Sequence, residues 1–114
     1  MKISLHCRGV ILNPDGRAYL ERRLGFALGR FMSKVTRVTV TLSDVNGDRG
    51  GIDKRCRVVT SLKGMGQIVL EDRDSSLPVL LDRISGRLDR LVSRRLERDR
   101  FVRDRMPFGG TAFG

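Results

Sequence analysis

The residues of this chain best suited to chemistry are arginines. Arg83, Arg87, Arg90, Arg94 and Arg98 recur three or four positions apart. At ~100° per residue on a helix they fall within a sector of roughly 80°, forming one row on one face. A guanidinium is planar, permanently charged, and able to give two parallel hydrogen bonds to a phosphate or to stack on a base. Such a row is suited to holding nucleic acid; the competing reading is an ordinary solvated face. Two features favour nucleic acid. Asp82 and Asp89 lie on the opposite flank with Ser85 and Ser93, whereas a self-neutralising helix would interleave acids and bases. Like charges one turn apart cost a few tenths of a kcal/mol per pair, a cost that an anionic partner offsets. Arginine also supplies 19 of the 23 basic residues, a bias toward phosphate contact over mere solubility.

A weaker cluster lies nearer the N-terminus. Tyr19, Arg23, Phe26 and Arg30 share one helical flank, with Arg22 and Lys34 nearby. Aromatics interleaved with arginine can stack bases, although an aromatic bordering a buried stripe more often packs against the core. The candidate RNA-contacting set is Arg22, Arg23, Arg30, Arg83, Arg87, Arg90, Arg94, Arg95 and Arg98. Nothing recommends catalysis. His6 and Cys7 are adjacent on a strand and point to opposite faces, so they cannot meet as base and thiol. Cys7 and Cys56 are expected in the core, and with the lone His6 they lack metal-ligand spacing. There is no glycine-rich phosphate loop, serine elbow or convergent pair of acids. The expectation is a non-enzyme without metal or cofactor.

The elements that must position these residues follow from period. Residues 2–8 alternate, with Ile3, Leu5 and Cys7 on one side and Lys2, Ser4, His6 and Arg8 on the other, as in a half-buried strand. Asn13-Pro14-Asp15 supplies a cap, a residue pre-set for the first helical turn and a carboxylate near the positive end of the helix dipole. Leu20, Leu24, Ala27, Leu28 and Phe31 then keep helical spacing, fading near Ser33 and Lys34, with Gly25 and Gly29 weakening the helix. From Val35 the period is two, with Val38, Val40 and Leu42 inward. Residues 44–51 read as a hairpin loop, and a third strand places Cys56, Val58, Thr60 and Leu62 on one face. Lys63-Gly64-Met65-Gly66 turns into a short fourth strand over 67–71, with Ile68 and Leu70 buried. Ser75 or Ser76 caps a second helix, Pro78 being tolerated in its first turn, and its apolar stripe is Leu77, Leu81, Ile84, Leu88, Leu91 and Val92.

The order strand, helix, three strands, helix implies an α+β two-layer sandwich: a four-stranded mixed sheet with both helices on one face and a parallel first pair of strands. The outward face would then offer Lys2, His6, Arg8, Arg37, Arg55 and Arg57, which could bind RNA or stay solvated. Residues 1–105 are expected to form one domain and 106–114 a flexible tail. A chain that is 32% charged could be disordered, but 39% apolar residues in regular periods argue for a core. The formal net charge of +10 favours polyanionic partners. With no apolar run near the ~18 residues of a membrane span and no basic-then-apolar leader, the chain is expected to be soluble, unprocessed, cytoplasmic and without membrane or small-molecule partners.

Element order and residue strings together resemble the ribosome hibernation-promoting factor and ribosome-associated inhibitor family, in its short form, over about residues 1–100. The strings are Asn13-Pro14 with Arg17, Tyr19, Leu20, Glu21, Arg22, Arg23 and Leu24, then Leu81-Asp82, Arg87-Leu88-Asp89-Arg90 and Arg94-Arg95. Pro78, Gly25, Gly29 and the Phe- and Gly-containing tail depart from the family pattern. The resemblance implies the same fold and binding to small-subunit rRNA between head and body. Occlusion of the mRNA and tRNA region would then silence idle ribosomes under stress. It carries the family's basic helix residues onto Arg22, Arg23, Arg87, Arg90, Arg94 and Arg98, as phosphate and sugar contacts that do not read sequence. The implied partner is the small ribosomal subunit, the free protein being a monomer. The alternatives are a general structured-RNA binder and an arginine-rich adaptor for an acidic protein.

Overall fold

A computed structural model describes residues 1–44 and 54–105, with side chains through Arg100. The expected hairpin loop after Asp44 and the tail from Met106 lie outside the described residues. The elements are β1 (Lys2–Arg8), α1 (Pro14–Leu28), a short 3-10 turn (Gly29–Phe31), β2 (Val35–Asp44), β3 (Lys54–Leu62), β4 (Gly66–Asp74) and α2 (Leu77–Arg105). The four strands form one sheet in the order β1-β2-β3-β4. β1 runs parallel to β2, and the other two pairings are antiparallel. This is the α+β arrangement that the periods require.

The boundaries have local causes. Asn13 Oδ1 accepts from the Gly16 N–H at 2.7 Å, with Pro14 in the first helical position. Ser76 opens α2: its carbonyl accepts from Leu80 N–H at 3.0 Å and its hydroxyl lies 3.5 Å from Val79 N, leaving Pro78 where no helical N–H is required. Between β3 and β4 the chain reverses through Gly64 and Gly66 at φ +73° and +77°, a conformation that costs glycine nothing.

One core lies between the helices and the inner face of the sheet. α1 contributes Leu20, Leu24, Ala27 and Leu28; α2 contributes Leu80, Leu81, Ile84, Leu88 and Val92; and the sheet contributes Val38, Val40, Leu42, Cys56, Val58, Leu62, Ile68 and Leu70 among others. α2 buries more than its expected stripe, taking in Leu80 and Ser85, because it packs against α1 as well as β3 and β4. Its 29 residues span about 43 Å. Burial ends at Val92, with Leu96 partly covered, so the later turns run past the core.

Three expectations need correction. Cys7 is exposed, not in the core. β1 is an edge strand whose other inward residues, Ile3 and Leu5, are only half-buried, so the helical layer covers it incompletely. Cys56, two strands inward, is buried, and burial pushes its thiol up to about 12. β4 extends to Asp74, beyond Glu71. Phe31 packs at the margin of the core instead of within it, since the α-helix has given way to the tighter turn by then.

Candidate nucleic-acid interface

The extended β4 changes the arginine row. Alternation along the strand carries Asp72 and Asp74 onto the helix-facing side after Ile68 and Leu70. Asp74 Oδ2 lies 2.6 Å from Arg83 Nη2, and Asp72 Oδ2 lies 3.3 Å from Arg83 Nη1 and 3.4 Å from Arg87 Nη1. Arg83 also donates to the carbonyl of Arg73 at 3.2 Å. Partial burial pushes the Asp72 carboxyl up, but the Arg73 N–H and the two guanidinia outweigh it and leave its pKa lowered. The Ser76 N–H and Arg83 lower Asp74, and both acids in turn raise Arg83. The first half of the row is therefore neutralised from within the fold, so the repulsion expected to be offset by an anionic partner is already met internally at Arg83 and Arg87.

The acidic flank of α2 faces α1. Asp82 Oδ1 accepts a short hydrogen bond from the Tyr19 hydroxyl, whose ionisation this bond opposes. Arg23 Nε approaches the same oxygen at 3.1 Å as an ion pair without hydrogen-bond alignment. Arg30 Nη2 binds Asp89 Oδ1 at 2.7 Å and Ser93 Oγ at 2.8 Å, and its guanidinium sits 4.7 Å from the centre of the Phe31 ring. Arg23 and Arg30 thus close the seam between the helices, with outer parts of both side chains still in solvent. Arg95, three residues after Val92, stands on the sheet-facing side and donates to the Met65 carbonyl at 2.9 Å, tying α2 to the β3–β4 turn.

What remains is a smaller, freer set. Arg90, Arg94 and Arg98 continue the row on the outer side of α2. They are exposed and have no ion-pair or hydrogen-bond partner among the described residues. Arg22 is equally free on α1, and Phe26, one turn later, is 88% exposed. Tyr19 and Phe26 therefore part company: the first packs and bonds to Asp82, and the second projects into solvent where a base could stack on it. The sequence missed the pairing of Arg83 and Arg87. The signal was present in Asp72 and Asp74, two acids in register with Ile68 and Leu70, but reading it required the strand to be longer than its apolar pair suggested.

No family model and no curated protein sequence matches the chain. Solved structures do. The N-terminal domain of protein Y from Thermus thermophilus superposes with a TM-score of 0.68 at 25% identity, over 82% of this chain and 98% of that one. A ribosomal subunit interface protein from Coxiella burnetii superposes at 0.66 with 15% identity, over 82% and 96%. These neighbours match the hibernation-promoting factor family. The resemblance read from the two helix strings is thus accompanied by a likeness of the backbone.

Proposed function

We propose that this chain is a non-catalytic, cytoplasmic, ribosome-associated factor. It binds small-subunit rRNA as a monomer and silences ribosomes under stress by occupying the path of mRNA and tRNA. The observation that carries this reading is the free ridge of Arg90, Arg94 and Arg98 on the outer side of α2, in a chain with the protein Y fold. Three guanidinia about one turn apart, exposed and without a partner among the described residues, suit successive phosphates of a folded RNA. Arg22 and Phe26 add a charge and a stacking surface from α1. Arg23, Arg30, Arg83, Arg87 and Arg95 serve first as struts that hold the two helices and β4 together, and contribute to RNA through their exposed edges. Inhibition is steric and requires no turnover. Among the described residues no helix is long and apolar enough to cross a membrane.

The test is sedimentation of the purified protein with small subunits, large subunits and bulk RNA at ~150 mM salt, comparing wild type with Arg90→Glu/Arg94→Glu/Arg98→Glu. Saturable co-pelleting with small subunits alone, abolished in the variant while its thermal melt is unchanged, is the expected result. Equal binding to every RNA would leave a general RNA binder, and binding that survives nuclease would point to an acidic protein partner.

A further inference from the structure

The face of the sheet turned away from the helices carries a second, separate concentration of arginine. Register across the four strands aligns Arg8, Ser43, Arg55 and Arg73 in one row and His6, Thr41, Arg57 and Glu71 in the next. Among the described residues, both helices pack on the opposite face of the sheet. Arg8, Arg55 and Arg57 border a concavity of about 270 Å³ whose remaining lining is Thr41 and Ser43. That is several times the ~30 Å³ a liquid water occupies. Ser43 is only 9% exposed and Thr41 is half-buried, so the pocket has a floor of hydroxyls and a rim of guanidinia.

Nothing among the described residues neutralises this rim. Arg8, Arg55 and Arg57 have no ion-pair or hydrogen-bond partner, and Glu71, opposite Arg57 on β4, does not reach it within ion-pair distance. Arg55 and Arg73 are direct cross-strand neighbours, an arrangement of like charges that destabilises a sheet by itself. In contrast to Arg83 and Arg87, which Asp72 and Asp74 neutralise, these guanidinia are held next to one another with no carboxylate partner among the described residues. Adjacent strands lie about 4.8 Å apart, so Arg8, Arg55 and Arg73 form a line of charge roughly 14 Å long across the sheet. A line of charge matches a chain of phosphates better than one small anion, and paired hydroxyl and guanidinium donors suit phosphate oxygens.

We infer that the open face of the sheet binds the phosphodiester backbone of RNA, with a phosphate seated between Arg8, Arg55 and Arg57 over the hydroxyls of Thr41 and Ser43. This rests on RNA being the partner and adds a binding surface on the side opposite the α2 ridge. The protein then grips RNA on both faces.

The experiment follows a fluorescent single-stranded oligoribonucleotide by anisotropy over a salt series. It compares wild type, Arg55→Gln/Arg57→Gln, and Lys2→Gln/Arg37→Gln, which removes equal charge from the far end of the same face. Melting temperatures establish that all three fold alike. The Arg55/Arg57 variant is expected to bind roughly tenfold more weakly, with a salt slope shallower by about 0.7 for each phosphate it no longer neutralises, and the Lys2/Arg37 variant to weaken much less. Equal weakening in the two variants would reduce the site to general charge and overturn it, as would an unchanged Arg55/Arg57 variant. Inorganic phosphate that binds the pocket while the substitutions leave oligonucleotide affinity intact would assign it to a free anion and overturn the RNA occupant. A wild type that pellets with small subunits while the Arg55/Arg57 variant keeps full affinity sinks this site alone. A wild type that binds no RNA sinks the functional reading and this site together.

Discussion

Among side chains of the same type, partners decide the role. Arg83 and Arg94 lie in one row of one helix, yet Arg83 is held by Asp72 and Asp74 while Arg94 has no partner among the described residues. The two aromatics on α1 divide in the same way. Phe26 is almost fully exposed, so truncating it removes little from the core, and Ala is the better helix former. Phe26→Ala is expected to leave the thermal melt unchanged or slightly raised while weakening RNA binding by about 1 kcal/mol or more, roughly fivefold, if a base stacks there. A titration with the oligoribonucleotide in which wild type and variant coincide would remove Phe26 from the interface.

At the scale of elements, β4 and α2 are joined by charge as well as by Ile68 and Leu70. The folded-state pKa values of Asp72 and Asp74 are lowered. Their contribution to stability is therefore fully present above the ordinary carboxylate value near ~4 and is lost as pH falls through the lowered folded values. Asp72→Asn/Asp74→Asn is expected to be less stable than wild type at pH ~7, with the difference closing below about pH 4. The same variant leaves Arg83 and Arg87 without these carboxylates and removes two negative charges, so its RNA affinity is expected to rise. Urea denaturation at the two pH values, alongside the binding titration, separates the effects; a gap that persists in acid would show that the carboxylates act by packing and not by charge.

For the whole molecule, a formal charge of +10 on 114 residues is a standing repulsion that no internal pairing removes. Surface ion pairs such as Arg17 with Glu21, 3.2 Å apart and more than half exposed, contribute little in return. Raising salt from ~10 to ~150 mM shortens the screening length from about 30 to about 8 Å, so the melting temperature of the free protein is expected to rise while its RNA affinity falls. Calorimetry across that range checks the first half; a melting temperature that drops with salt would mean that attractive pairs dominate the field.

Much of the fold was legible because its signals are local. Period two placed Val38, Val40 and Leu42 on one face, period 3.6 placed Ile84, Leu88 and Val92 on one stripe, and Asn13-Pro14 marked a helix start; each depends on residues within a turn or a strand. The arginine row and the basic sheet face were legible for the same reason. Which arginines are free was not. Arg30 meets Asp89 across 59 positions, Arg23 meets Asp82 between two helices, and Arg83 meets Asp74 only because β4 runs longer than its apolar pair. The exposure of Cys7 likewise depends on β1 lying at the edge of the sheet. The sequence determined the elements and their faces by short-range sterics and hydrophobic period. The tertiary structure alone decided the pairing of charges, because an ion pair needs two groups within about 4 Å and chain spacing sets no such distance once the partners sit on different elements.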